Sequence, residues 1–319
     1  MSTESRKGGQ TTTVPARVSI VPDPEMKPAA VTSPPRNTED LLNQFWLALL
    51  VAFLGFVGVM LTLTGGNGGF QGVLVAVLLH TVPGLAIGLV YRLRGLDLIL
   101  SWFVGSLAVL ILCSLPMALT SFWHPRVMAT LILFASTAVA VWVARKRPPR
   151  LDTTWVHRTG RAMIGPIGVA TAGFLIAMIA AATQHQPPAL YGAALAAGPL
   201  WFLGLGAIVF AVCWAFSSVG GRSWSIVLLA TVVPMTQAVI YGTPTVQVAA
   251  RHIGLVNLLI NNGGLDREAG IYQAYSGLFA SSALVQQAAG WPDLMMYAAV
   301  FGAVGAGVNC LAVAQLARY

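Results

Sequence analysis

The chain has 319 residues, of which 56% are hydrophobic and only 9% are charged, and its formal net charge is +8. Soluble domains carry about 25% charged residues, so this composition excludes an ordinary soluble domain and indicates a protein of the lipid bilayer. Three cysteines, Cys113, Cys213 and Cys310, each lie inside an apolar run. They therefore predict neither a disulfide framework nor a thiolate metal site.

Residues 1–43 form a polar segment ahead of all the apolar runs. They contain three consecutive threonines, six prolines and charges of both signs, without an apolar stretch long enough to bury. This composition predicts a disordered tail. The tail lacks the apolar region of a cleaved secretory signal, so the first hydrophobic run is expected to remain as a membrane anchor.

Eight apolar runs follow, and their lengths are close to the roughly 20 residues that a membrane-spanning helix needs. Gly198-Pro199 blurs the limits of the sixth run. We predict an all-α polytopic transmembrane bundle, with seven spans within residues 44–241 and an eighth within 294–319. The predicted spans are residues 44–63, 71–91, 98–120, 127–144, 162–183, a run within 189–216, 224–241 and 294–317.

The lysines and arginines predict the orientation of these spans. If both termini are cytoplasmic, fifteen of the 18 basic residues fall in inner segments, and only Arg126, Arg251 and Arg267 fall outside. Cytoplasmic loops carry such an excess, so we predict a multi-pass protein of the inner cell membrane with both termini in the cytoplasm. The densest basic cluster, residues 145–150, adjoins a span. That position favours anionic lipid headgroups as its partner and argues against nucleic acid.

Ionisable side chains are scarce within the predicted spans. No acid falls in the middle of a span, and His80 is the one titratable candidate. Because His80 precedes Thr81 and Pro83, we interpret it as a histidine that bonds to backbone freed by a proline kink. The alternative is a proton relay or ion path, which intramembrane ionisable residues often mark.

Residues 242–293 form the one long polar stretch after the tail, and we predict that they make an outer loop with two short interfacial helices. Between residues 245 and 262, polar or small residues recur every three or four positions, which predicts an amphipathic helix lying along the interface. Asn262-Gly263-Gly264 ends it. Residues 278–289 predict a second helix that is too short to cross a bilayer. Asp293 then suits the positive start of the last span.

The order of motifs in this stretch resembles the first outer loop of the C-type glycosyltransferase superfamily, and uncharacterised actinobacterial membrane proteins have similar motifs. The resemblance covers residues 241–319. It implies a multi-spanning protein that transfers sugars from polyprenyl-phosphate donors in cell-envelope glycan assembly, often with a divalent cation. The motifs are His252-Ile253-Gly254, Asn262-Gly263-Gly264, Asp266, Ile-Tyr-Gln-Ala-Tyr at 271–275 and Gly-Leu-Phe-Ala at 277–280.

The chain departs from the superfamily in three respects. The family acid usually precedes the interfacial helix, whereas residues 241–250 contain no acid. The loop follows the seventh span and not the first. The chain also ends soon after the loop, from which we expect an amino-terminal portion of a longer transferase.

The transferase reading assigns roles to the polar residues of the loop. A base must take the proton of the acceptor hydroxyl, and Asp266 or Glu268 is the predicted base. These two carboxylates could also contact a hard divalent cation, but two ligands are too few for a metal site. The remaining cations and tyrosines are predicted to bind phosphate and sugar, namely Arg251, His252, Arg267, Tyr272 and Tyr275. The competing interpretation is a solvated turn with tyrosines as interfacial anchors.

Two other classes of function remain open at this point. A transporter or lipid flippase would use a polar groove between kinked helices, and a cavity continuous across the membrane would favour it over transfer. A non-catalytic subunit would instead contact a protein partner through the small residues of the last span. Those residues are Gly302, Ala303, Ala306 and Gly307.

Overall fold

The computed structural model describes residues 38–65, 69–146, 161–183, 192–217, 219–244, 247–266 and 276–317. Most of the predicted tail, residues 1–37, lies outside this part of the chain. The first helix begins at Thr38, a few residues inside the segment that composition assigned to the tail.

Within the described residues all regular structure is helical, as predicted. A π-helical turn, Ser101–Gly105, joins α4 to α5, and a 3-10 turn, Ala215–Ser217, follows α9. The α-helices are α1 Thr38–Leu63, α2 Gly69–Leu79, α3 Val82–Tyr91, α4 Gly95–Leu100, α5 Ser106–Thr120, α6 Pro125–Lys146, α7 Arg161–Thr183, α8 Ala193–Ala196, α9 Pro199–Trp214, α10 Val219–Tyr241, α11 Gln247–Asn262, α12 Gly277–Ala289 and α13 Met295–Leu316.

Seven helical segments of the described chain are long and apolar enough to cross a bilayer: α1, α2 with α3, α4 through α5, α6, α7, α10 and α13. The sixth predicted run forms α9, which is apolar but has only 16 residues. It runs antiparallel to α7, since Gly165 lies against Trp214 and Gly173 against Gly204. The prediction of a polytopic helical bundle is confirmed, but the described residues contain seven segments of spanning length and not eight, because α9 is shorter.

Large apolar side chains lie on the outside of these helices. Phe53 is 63% exposed, Phe70 78% and Leu112 72%. Exposed aromatic and aliphatic side chains at this density would be unfavourable in water but match the hydrocarbon of a bilayer. Contact with lipid therefore follows from both the composition and the packing.

The second span is broken at His80 and Thr81, where α2 ends and α3 begins. Pro83 has no N–H to donate to the carbonyl of Leu79, so the helix cannot continue unchanged through this point. The Thr81 hydroxyl donates to the carbonyl of Val77 at 2.8 Å and helps to satisfy the backbone of the break. The predicted proline kink is confirmed.

The π-helical turn of the third span packs directly onto the start of α3. A Cβ on Gly84 would collide with the carbonyl oxygens of Ser101 and Trp102. Two hydrogen bonds hold the contact, from Gly84 N to Ser106 Oγ at 2.8 Å and from Ser101 Oγ to Gly84 O at 2.9 Å. Glycine is required here because the two backbones approach too closely for any side chain.

The second short helix forms where the sequence predicts it, as α12, but it does not lie along the interface as expected: it is inside the bundle and packs against α2, α5, α6 and α11. Nine of its 13 residues are buried. Its first residue, Gly277, lies against Ile111 in the middle of α5, and the carbonyl of its last residue, Ala289, lies against Gly72 of α2. The small side chains of α12 allow this close packing, which an interfacial position would not need.

We call the end of the bundle with residues 121–124 and α11 the α11 end, and the end with residues 92–94 the α4 end. The Gln315 amide donates to the Asp97 carboxylate at 2.8 Å and joins the last turn of α13 to α4. Elsewhere on α13, Gly307 packs closely against Val227 and Thr231 of α10. Part of the small-residue stripe predicted to meet another protein is therefore used within the chain.

Candidate functional site

The predicted site residues are only partly within the described chain. Glu268, Arg267, Tyr272 and Tyr275 lie outside it. Arg251 is exposed near the start of α11, and the half-buried His252 follows it, whereas Asp266 comes just after the end of this helix. Eleven residues of α-helix separate position 251 from 262, which corresponds to roughly 16 Å. The helix thus places Arg251 and His252, two of the predicted ligands, at the end opposite to the predicted base Asp266.

Asp266 is anchored next to the connection between α5 and α6. The backbone N–H of Leu265 donates to the carbonyl of Ala118 at 3.0 Å, and Gly264 fits closely against Ser121. Asp266 itself is half-buried. The same connection continues through Trp123, which packs with Leu265 on one hydrophobic cluster.

A cleft lies between the second span, the π-helical turn and α13, and the sequence did not reveal it. Its volume is about 490 Å³, within the range of about 300–1,000 Å³ typical of ligand sites. Val77 and Met296 line it and are each 51% exposed, so the cleft opens toward the lipid-facing surface. Most of its other lining side chains are aliphatic or aromatic, the latter being Trp102, Phe103, Trp291, Tyr297 and Phe301.

The cleft extends from the α11 end only partway through the bundle. On α13 its lining reaches from Asp293, just before the helix, to Val304, a rise of roughly 16 Å at 1.5 Å per residue. Beyond Val304, the hydrogen bond between Gln315 and Asp97 joins α13 to α4. At the mouth, Asp293 accepts a hydrogen bond from the N–H of Met295 at 2.9 Å, which confirms its predicted role at the start of the last span.

A histidine and a tyrosine form the polar pair of the cleft. His80 Nδ1 lies 2.8 Å from the carbonyl oxygen of Ala76. A carbonyl only accepts hydrogen bonds, so Nδ1 carries the hydrogen and Nε2 of the neutral ring is an acceptor. The Tyr297 hydroxyl, 3.1 Å from Nε2, donates to it and also hydrogen-bonds with Ser282 of α12.

The backbone bond predicted for His80 is confirmed, but its acceptor is not the carbonyl released by Pro83, which belongs to Leu79. Sequence reasoning missed Tyr297 altogether, because 217 positions separate the two residues. Rings surround the pair: the centroid of Phe301 lies 6.0 Å from that of His80 and 5.5 Å from that of Tyr297. The result is a hydrogen-bonded chain in apolar surroundings, where such bonds are strong and their loss is costly.

We expect Tyr297→Phe to destabilise the protein by about 1 kcal/mol, because it removes the donor to the half-buried His80 Nε2. His80→Leu should destabilise the protein similarly. The double variant should lose less stability than the sum of the losses in the two single variants. Hydrogen bonds between membrane helices give coupling energies of about 0.6 kcal/mol on average. Chemical unfolding of the four proteins in detergent measures the coupling, and strictly additive losses would show that the two side chains do not interact.

A second cavity of about 520 Å³ lies at the α11 end and carries positive charge. Its lining includes His124 and Arg126, both exposed. Gln287 of α12 fixes this region, since its side-chain oxygen accepts from Trp123 Nε1 at 2.6 Å and its carbonyl accepts from Arg126 Nε at 3.4 Å. We call it the Arg126 pocket. Trp291 lines both this pocket and the cleft.

The sequence identified Arg126 as one of three arginines predicted on the outer side. It contained no pattern that placed this arginine next to the cleft. His252 lines a third cavity, between α10, α11 and α13, and its ring lies 5.2 Å from that of Phe279. Within the described residues no group of three metal-ligating side chains occurs. The cation considered for Asp266 and Glu268 therefore stays a prediction.

No protein-family model, no curated protein and no solved structure matches this chain.

Proposed function

We propose that this membrane protein binds a polyprenyl-phosphate-linked sugar and transfers the sugar to a hydroxyl acceptor, as its resemblance to C-type glycosyltransferases implies. The observation that carries the proposal is the cleft that contains His80 and Tyr297, which is lined mostly by apolar side chains and adjoins a cationic pocket at one end. A long hydrocarbon chain with an anionic head has the same distribution of polarity. The hydrocarbon chain of the lipid would lie between the second span and α13, and its phosphate would lie near Arg126.

The chemistry of the Arg126 pocket supports binding of the phosphate. A guanidinium can donate two parallel hydrogen bonds to phosphate oxygens, and it keeps its positive charge at all physiological pH values. His124 adds a second donor, and Trp291 supplies an amphipathic ring at the junction with the cleft. Arg251 and Arg267, favoured by sequence, become secondary candidates for this role.

Transfer requires one bond to form and one to break. The base, Asp266 or Glu268, takes the proton from the acceptor hydroxyl while that oxygen attacks the anomeric carbon of the donor sugar. The bond between this carbon and the phosphate oxygen breaks, and the lipid phosphate leaves with the electron pair. Arg126 stabilises the charge that develops on the phosphate. Gly264 and Leu265, which precede Asp266, contact Ser121 and Ala118 next to the α5–α6 connection. This connection also contains Trp123 and ends just before Arg126.

The extent of the cleft favours transfer over transport. A transporter or flippase needs a path that opens to both sides, whereas the cleft ends at Val304 and α13 is joined to α4 beyond it. We further propose that the α11 end faces outward from the inner membrane and that both termini are cytoplasmic. This orientation is supported by the excess of basic residues in the segments assigned to the inside.

We expect purified wild-type protein to transfer sugar from a polyprenyl-phosphate donor and one of the variants Asp266→Asn or Glu268→Gln to be about 10²–10⁴-fold slower, the usual contribution of a general base. Asp97→Asn at the α4 end is the matched control and should retain turnover. Release of lipid phosphate from a radiolabelled donor measures the rate. Unchanged turnover in both carboxylate variants would exclude them as bases, and no turnover by the wild type would favour a transporter or a non-catalytic subunit.

A further inference from the structure

The last helix, α13, separates two cavities of similar size. Its large side chains line the cleft, and its small ones line the cavity that also contains His252, which we call the His252 pocket. Residues two positions apart differ by about 200° around an α-helix, so the two sets point to opposite sides. The large set includes Met296, Val300 and Val304, and the small set is Ala298, Ala299, Gly302 and Ala303.

The His252 pocket has a volume of about 420 Å³. The small residues of α13 leave this space open: a Cβ on Gly302 would meet no atom within 4 Å. The opposite wall comes from Pro234 and Gln237 of α10 and from Thr243 and Pro244 in the connection to α11. The volume lies within the range of about 300–1,000 Å³ that is typical of ligand sites.

The polar side chains that line the pocket are an amide, a hydroxyl and an imidazole. These are Gln237, Thr243 and His252, and among the described residues that line the pocket there is no acid, lysine or arginine. A buried phosphate, carboxylate or ammonium would lack a counter-charge there, which is unfavourable. An amide, a hydroxyl and an imidazole can each donate and accept hydrogen bonds, as sugar hydroxyls also do. The alanine and glycine surface of α13 suits the apolar C–H face of a sugar ring.

The position of His252 is set by its neighbours. Its ring packs at 5.2 Å from the ring of Phe279, and Phe279 is 91% buried in α12, since only 9% of it is exposed. Aromatic rings at 4.5–7 Å attract each other, so this contact restricts the orientation of the imidazole. His252 thus lies on helix α11 with its ring against the buried helix α12, and not on a solvated loop.

We propose that the His252 pocket is a second binding site, specific for a neutral sugar unit of a glycan or glycoside. Sugar binding in this pocket does not rest on the proposed transferase function. The lack of an arginine or lysine among its described lining residues separates it from the Arg126 pocket, which suits phosphate. His252 is accordingly assigned to the sugar and not to the lipid phosphate.

Sugar binding can be measured by saturation-transfer NMR on the protein in lipid nanodiscs, with the methyl glycosides of glucose, galactose, mannose and arabinose as probes. We expect at least one to bind and glucose 6-phosphate not to bind. Gly302→Leu fills the open space and should weaken binding at least about tenfold. Gly305→Leu is the matched control, because a Cβ on Gly305 also meets no atom within 4 Å and the residue does not line the pocket.

Thr243→Val provides a variant outside the helices, with unchanged shape and one hydroxyl removed, and it should weaken binding several-fold. Binding of none of the four glycosides, or equal affinity in wild type and Gly302→Leu, would overturn the proposal. Preferential binding of the phosphorylated sugar would overturn it as well. If the wild-type protein binds a glycoside but does not turn over a polyprenyl-phosphate sugar donor, the proposed transferase function is contradicted and the sugar site stands.

Discussion

Val304→Trp is expected to reduce capture of a polyprenyl phosphate by at least about tenfold. Val304 is the lining residue of α13 furthest from the α11 end, and an indole in place of its isopropyl group would occupy the space proposed for the lipid chain. A diazirine-bearing polyprenyl phosphate, photoactivated with the protein in nanodiscs, measures capture. In the wild type we expect labelled peptides to come from α2, the π-helical turn and α13.

Val313→Trp is the control for this experiment. It makes the same substitution on the same helix, but Val313 is 65% exposed and lies outside the cleft lining. Capture should therefore match the wild type. Undiminished capture by Val304→Trp, or wild-type labelling concentrated on α7 and α9, would show that the lipid chain binds elsewhere.

Gly84→Ala is expected to cost about 3 kcal/mol of stability, the upper end of the usual range for overpacking. A methyl group at Gly84 would collide with the carbonyl oxygens of Ser101 and Trp102, and two backbones must separate to admit it. The hydrogen bonds between Gly84 and the serines at 101 and 106 would weaken together. Chemical unfolding in detergent gives the change in free energy.

Gly168→Ala is the matched control, and it should raise the free energy of unfolding where Gly84→Ala lowers it. Gly168 lies inside α7, and a Cβ there would meet no atom within 4 Å. Alanine in a helix interior is more stable than glycine by about 0.5–1 kcal/mol when space permits. Equal effects of the two substitutions would mean that the approach of α3 to the π-helical turn is not tight. We also expect Gly84→Ala to weaken lipid capture, because the turn carries Trp102 and Phe103 of the cleft wall.

The spans were predictable because each is a continuous apolar run whose length alone identifies it. The limits of α9 were not, since Gly198-Pro199 interrupts the pattern and the helix is only 16 residues long. The burial of α12 could not be predicted from the sequence either. A short run of alanine, serine and leucine is compatible with the interface or with the interior, and only the surrounding helices decide between them.

Some residues of the candidate site could likewise be predicted from the sequence, and others could not. His80 could be found because a histidine within a span is rare and its local bond to Ala76 lies one turn away. Its partner Tyr297 could not, since the pair forms only when the first and last parts of the chain pack together. Arg126 was visible as a cation at the predicted outer side, but its proximity to Gln287 and Trp291 depends on where α12 ends. Asp266 came from a local motif, and whether it is the base stays a prediction.

The sequence by itself determined that this is an all-helical, multi-pass membrane protein, because hydrophobic length and local helix breakers are properties of consecutive residues. Only the tertiary structure decided that α12 is buried, that His80 bonds to Tyr297, and that α13 separates the cleft from the His252 pocket. Each of these features depends on side chains far apart in the chain, and small residues such as Gly84 and Gly302 determine where helices touch and where space remains. A one-dimensional pattern does not contain that information.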